Sequence, residues 1–215
     1  MSRRSPIDSV VATTRGDDGT TGLLYGGDRI QKDDLRTEAY GTVDEAIAAL
    51  GMARAWLGVK RNRGTLPAGI GGLASLILRF QRELFVVGAE LATNPDAWDR
   101  LEDDRTRVSA AMVRGVEETL VELERNLEMP KEFVVAGETP TSAALELART
   151  ILRRAERRAV ALRREGFVPG DHLIPYLNRL ADLVWVLARA AERAESRAAT
   201  PSRRPGAAPR RETST

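Results

Sequence analysis

From residue 37 onward the apolar side chains recur every three or four positions, and that period commits the chain to helices. TEAYGTVDEAIAALGMARAWL (37–57) puts Val43, Ile47, Leu50, Ala53 and Leu57 on one face. LASLILRFQRELFVVGAELA (73–92) repeats the pattern after the loop RNRGTLPAGIGG, and Pro95 in TNPDAW stops it. A third helix is expected near 106–127, after the acidic turn EDD. A fourth is expected over 140–165, where Thr139-Pro140 supplies an N-cap and a proline at the first helical position. After GFVPGDH a fifth spans 173–195, and MPKEFVVAGETPT reads as an irregular or extended joint before the fourth. Five helices with short connections and no repeats predict an all-α five-helix bundle.

A length of 215 residues suits one domain with a sizeable core. Its limits are set at 13–195, with a flexible N-terminus over 1–12 and a disordered Arg/Pro/Ala-rich tail over 196–215. The basic pI of 9.3 comes from that tail, since 197–215 carry five arginines and one glutamate. Without them 28 basic and 30 acidic residues remain, so net charge gives no support for nucleic acid as a partner. Cysteine is absent, which excludes thiolate metal sites and a cysteine nucleophile, and the single His172 cannot make a zinc site alone. No apolar run approaches the ~20 residues of a membrane span, and MSRRSPIDSV lacks a signal-peptide core. A cytoplasmic protein without a membrane partner is expected.

The first 36 residues escape the helical period. ATTRGDDGTTGLLYGGDRIQKDD holds five glycines and four threonines. One reading is a plain loop. The other is a phosphate cradle of backbone N–H groups, with Lys32 as a point charge in a chain that has only two other lysines, Lys60 and Lys131. The Walker order GxxxxGK[ST] is missing.

TSAALELARTILRRAERRAVALRRE carries the strongest functional signal. Ala144, Ala148, Ile151, Leu152, Ala155, Ala159 and Leu162 fall on one arc of a helix, the core face. Arg149, Arg153, Glu156 and Arg157 lie on the opposite arc. Three guanidinium groups on one stripe repel each other unless they meet anions. The stripe is a solvated face partly neutralised by Glu156, a triphosphate clamp, or a subunit interface, and the last two are compatible. In YLNRLADLVWVLAR, Asn178 and Asp182 share a helix face with Trp185 one turn on. Asp44 and Glu45 sit early in the first helix, and Phe133 sits in the joint.

Taken together, TTRGDDGTTGLLYGGDRIQKDDLRTEAYGTVDEA, FQRELFVVGAELAT, EFVVAGETPTSAALELARTILRRAER and YLNRLADLVWVLAR, in this order over 13–189, closely resemble the PduO-type ATP:corrinoid adenosyltransferases. The resemblance implies a homotrimer with active sites between subunits. It implies transfer of the 5′-deoxyadenosyl group of ATP to the cobalt of a reduced corrinoid such as cobalamin, with release of triphosphate. By position, Thr13, Thr14, Arg15, Gly16, Gly19, Thr21 and Gly22 would wrap the ATP phosphates, and Lys32 would add charge. Arg153, Arg154, Glu156 and Arg157 would hold triphosphate, Mg²⁺ and ribose, with Glu156 the one candidate near the metal, and Asn178 would contact the nucleotide. Asp44 and Arg149 match a pair that bridges subunits beside the corrin, where Asp182 and Trp185 also line the pocket. Phe133 matches the phenylalanine that displaces the lower axial ligand. A reductase and an adenosylcobalamin-dependent mutase are the protein partners implied.

Three departures stand out. The family's TxTGD, with a basic second residue, reads Thr13-Thr14-Arg15-Gly16-Asp17 here. Its FxxPGG reads FVVAGE, with Ala136 and Glu138 in place of proline and glycine. A histidine common in the arginine helix is Glu146. These changes leave open a second function, an ATP- and corrinoid-binding chaperone or regulator with little turnover. A purely structural helical oligomer is the third.

Overall fold

The structure, a computed structural model, describes residues 9, 11–67 and 69–203. Residues 1–8, 10 and 204–215, which hold most of the expected flexible ends, lie outside the described residues. Five α-helices build the body: α1 (Leu35–Asn62), α2 (Leu73–Ala92), α3 (Ala110–Arg125), α4 (Pro140–Arg164) and α5 (Leu173–Ala194). Short strands β1 (Thr20–Thr21) and β2 (Ile30–Gln31) form a hairpin before α1. Strands β3 (Val134–Val135) and β4 (Thr200–Pro201) pair antiparallel outside the bundle. The predicted all-α bundle is therefore observed, with two small ribbons added.

Caps set the helix bounds. Asp34 accepts a hydrogen bond from the Arg36 N–H, so α1 starts two residues ahead of the expected Thr37. It continues two residues into the expected loop RNRGTLPAGIGG, to Asn62, until Gly64, at φ +67°, closes it. Helix α3 begins at Ala110 rather than 106, because the Ser109 hydroxyl accepts from the Ala111 and Met112 N–H groups. Helix α4 opens as expected at Pro140, with Thr139 and Ser142 capping each other's backbone. After α2 the chain makes an unexpected 3-10 turn over Pro95–Arg100.

Helix α4 lies at the centre, packed on α1 and α5, while α2 covers α1 and α3 covers α5. Ala39, Ala46, Ala49 and Ala53 of α1 and Ala144, Ala148, Ala155 and Ala159 of α4 are all buried. Small side chains let helix axes approach closely, and leucines fill the space beyond them. Leu50, Leu57, Leu145, Leu152, Leu162 and Leu177 are essentially sealed from solvent. Each contributes about 2 kcal/mol of hydrophobic stabilisation. The arc from Ala144 to Leu162 is thus the core face, as its spacing predicts; only Ile151 on it is half-buried.

The structure departs from the expected ends at the start of the tail. Composition alone places residues 196–203 in a disordered segment. Instead Thr200 and Pro201 pair with Val135 and Val134, and the Ser202 N–H donates to the Phe133 carbonyl at 2.7 Å. Backbone pairing supplies the order that a missing apolar face cannot.

Candidate active site

The joint, the middle of α4 and the middle of α5 enclose a cleft of about 600 Å³. Phe133 and Val134 form its outer wall, Arg149 and Glu146 come from α4, Trp185 from α5, and Ser202 and Arg203 from the tail. Phe133 is 86% exposed, so its ring makes almost no use of the bundle core.

Beneath the cleft lies a buried ionic network. Glu146 accepts from Arg149 Nε at 2.7 Å through one oxygen and faces Arg189 Nη2 at 3.1 Å through the other. Arg189, 4% exposed, also meets Glu192 at 2.9 Å, and its guanidinium stands 5.5 Å from the Trp185 ring centroid. Burial pushes the Glu192 carboxyl up from its ordinary pKa, against the pull of Arg189. Arg189 and Glu192 were not anticipated. Their signal was present, a charged pair three residues apart on an otherwise apolar stretch of α5. The Glu146 departure now has a structural role, since its carboxylate ties Arg149 to the floor of the site.

A second groove of about 340 Å³ adjoins this cleft and shares Arg149 and Trp185 with it. Arg153 and Asp182 complete it, with Leu120 and Glu124 of α3 on the far side. Arg153 Nη1 donates to Asn178 Oδ1 at 3.3 Å and stands 3.3 Å from Glu156. Arg157 is exposed and has no side-chain partner among the described residues. Arg154 turns the other way, to an ion pair with Glu45 on α1, next to an Arg158–Glu38 pair at 3.5 Å.

The N-terminal segment forms its own small structure. Arg29 donates to the carbonyls of Arg15 and Thr20 at 2.7 and 2.9 Å, closing the loop between them. The Thr20 N–H and hydroxyl hold the Asp18 carboxyl below its usual pKa. Lys32 reaches back over Gly16 so closely that a Cβ there would stand 2.9 Å from its Nζ and 3.2 Å from the Thr20 carbonyl, so a side chain at 16 would push the lysine aside. The segment is anchored to the end of α2, where the Leu24 N–H donates to Ala92 O at 2.8 Å and the Leu24 carbonyl accepts from the Asn94 N–H at 3.1 Å. Leu24, Tyr40 and Phe85 then line a third, apolar groove of about 310 Å³, and Asp44 lies in it. Phe85 is 63% exposed there.

The chain by itself therefore brings together Phe133, Arg149, Arg153, Glu156, Asn178, Asp182 and Trp185. Asp44, Arg154, Lys32 and the segment 13–22 lie apart from that cluster, on the side of α1 and α2.

The sequence model for cobalamin adenosyltransferases matches residues 11–191. The chain belongs to the cobalamin adenosyltransferase family. A corrinoid adenosyltransferase of Citrobacter freundii is 38% identical over 185 residues, spanning 85% of this chain and 94% of that protein. One from Mycobacterium tuberculosis (strain H37Rv) is 36% identical over 187 residues, spanning 84% and 88%. Among solved structures, a variant PduO-type adenosyltransferase of Lactobacillus reuteri complexed with ATP superposes with a TM-score of 0.75 at 27% identity, covering 90% of this chain and all of that one. Another variant from the same organism, complexed with cobalamin and ATP, also has a TM-score of 0.75, at 29% identity over 89% and 98% of the two chains. The chain thus keeps the helical frame of a protein solved with cobalamin and ATP together. No helix among its described residues is long and apolar enough to cross a membrane.

Proposed function

We propose that the chain transfers the 5′-deoxyadenosyl group of ATP to the cobalt of a reduced corrinoid. The observation that carries this reading is the wall shared by two grooves. Arg149 and Trp185 border both an aromatic cleft at Phe133 and a polar groove at Arg153, Asn178 and Asp182. A flat, largely apolar ring system and a polyanion could lie side by side there.

In the reaction the cob(I) electron pair forms a bond to C5′ while the C5′–O bond breaks and its pair leaves with triphosphate. Cob(I) is itself a strong nucleophile, so the protein supplies none, in keeping with the absence of cysteine. Phe133 and Trp185 would exclude water and a lower axial ligand from cobalt, easing reduction of Co(II). Arg153 and Arg157 would hold the triphosphate as its charge develops. Asn178, already bonded to Arg153, would orient that guanidinium.

Lys32, the amides of 13–22, Arg154 and Asp44 enter this scheme through a homotrimer. Asp44 would meet Arg149 of a neighbouring subunit, and the Gly/Thr hairpin would close over the neighbour's nucleotide. The exposed Phe85 beside Asp44 supports an interface at that groove.

Among the described residues no group of three or more His, Cys, Asp or Glu could cage a metal. Glu156, beside Arg153 on α4, would offer one carboxylate to a Mg²⁺ held mainly by triphosphate oxygens and water. The ion would supply charge neutralisation on the leaving group.

The test is an anaerobic assay with reduced cobalamin, ATP and Mg²⁺, following loss of cob(I) absorbance and counting turnovers per site. Many turnovers are expected. A single product per site would favour the chaperone reading instead, which the substitutions at Ala136 and Glu138 make specific to the Phe133 loop.

A further inference from the structure

The chain leaves α5 through a turn built to reverse it. Ser196 takes φ +55°, its N–H donates to Arg193 O at 3.0 Å, and the Arg197 N–H donates to Glu192 O at 2.9 Å. This is the Schellman pattern, made without the usual glycine. Lys60 of α1 pairs with Glu195 at the same corner and donates to Thr141 at 3.2 Å, which ties the turn to the start of α4.

The eight residues after α5's cap then return to the site. Thr200 faces Val135 and Pro201 faces Val134. Ser202 N–H donates to Phe133 O, so in the alternating antiparallel ladder Val134 and Pro201 form a non-hydrogen-bonded pair. Pro201 thus sits where its missing N–H costs nothing, and it stiffens the strand. Ser202 and Arg203 complete the cleft wall beside Phe133. The loop they clasp lacks the family's proline, having Ala136 in its place, and has a flexible Gly137 at φ +127°.

We propose that residues 200–203 are a strap that positions the Phe133 loop for the corrinoid, fastened by the Ser202 backbone N–H. Phe133 gets almost no hold from the core, so its aim depends on what fixes its backbone. The strap does what a rigid loop sequence would otherwise do. Its kinetic consequence rests on the adenosyltransferase reading, whereas its hold on the loop does not.

The test uses the full chain and four variants. Ser202→Pro deletes the donor, Ser202→Ala keeps it, one truncation ends at Ala199 and one at Arg203. Without ligand, amide exchange in peptides spanning 131–136 should speed up at least about tenfold in Ser202→Pro and in the Ala199 truncation. Ser202→Ala and the Arg203 truncation should keep wild-type protection. With substrates, the first two should raise the corrinoid KM about tenfold and lose the four-coordinate cob(II) spectrum, leaving the KM for ATP within about twofold. Unchanged exchange after removal of 200–215 would overturn the strap. Faster exchange with an unmoved corrinoid KM would overturn its positioning role. If the wild-type chain proves unable to adenosylate cobalt, the proposed function falls, and the exchange result alone decides whether the strap stands.

Discussion

Glu146 on α4 and Arg189 on α5 meet at 3.1 Å almost out of reach of water, directly behind Trp185. The pair joins the two helices that carry most of the site, and it passes the connection on through Arg149 and Glu192. Removing one partner from such a network leaves charge stranded in the core.

Arg189→Ala should therefore cost about 3–5 kcal/mol of stability, since among the described residues buried Glu192 loses its only cation and Glu146 one of its two. Urea unfolding checks the magnitude. A loss below about 1 kcal/mol would mean that water reaches the network.

Glu90 sets a pH dependence away from the site. It is buried at the end of α2, where it accepts from the Val108 N–H at 2.7 Å, and a Cβ on Gly170 would stand 2.6 Å from its other oxygen. Burial raises its pKa to about 7, partly opposed by the backbone donors of Val108 and Gly170. An acid raised in the folded state binds more protons than its unfolded counterpart over that interval. Its contribution is thus most favourable below the ordinary carboxylate value of 4.5 and is lost as pH rises to about 7. Thermal melts from pH 5 to 8 should show this decline, and Glu90→Gln should flatten it. An identical slope in the variant would assign the decline to another group.

Arg153 is exposed, and its bonds to Asn178 and Glu156 are peripheral. Arg153→Ala should leave stability within about 0.5 kcal/mol of wild type while lowering turnover about a hundredfold. Steady-state kinetics with a melting curve separates the two effects; near-normal turnover would remove Arg153 from the triphosphate clamp.

Phe133→Ala should be equally silent in stability, because the ring is 86% exposed. Nucleotide affinity should be unchanged while the five- to four-coordinate cob(II) conversion disappears. Electron paramagnetic resonance reads the coordination directly, and persistence of the four-coordinate signal would place the displacing group elsewhere.

How far the sequence announced this structure depends on which forces act at each place. The core arc of α4 was legible because burial follows a 3.6-residue period, and Thr139-Pro140 marked its start because capping chemistry is local. The grouping of Phe133, Arg149 and Trp185 in one cleft follows in the sequence only from the family resemblance, and the residue pattern alone leaves the arginine stripe open between three readings. The strap was illegible. Its turn at Ser196 lacks the glycine that signals a left-handed cap, and its strand is two residues long with a proline in it. Arg189 is legible only as a charge on an apolar stretch of α5, and spacing does not say whether such a charge is buried with a partner or turned to solvent.

The two sides of α4 have unlike duties. Inward it presents Ala144, Ala148, Ala155 and Ala159, which no reaction uses, and outward it presents Arg153 and Arg157, which no packing uses. Substitutions on the outer side can alter what the site attracts while the frame beneath stays as it was. A lineage carrying this helix is free to explore new ligands without first having to refold.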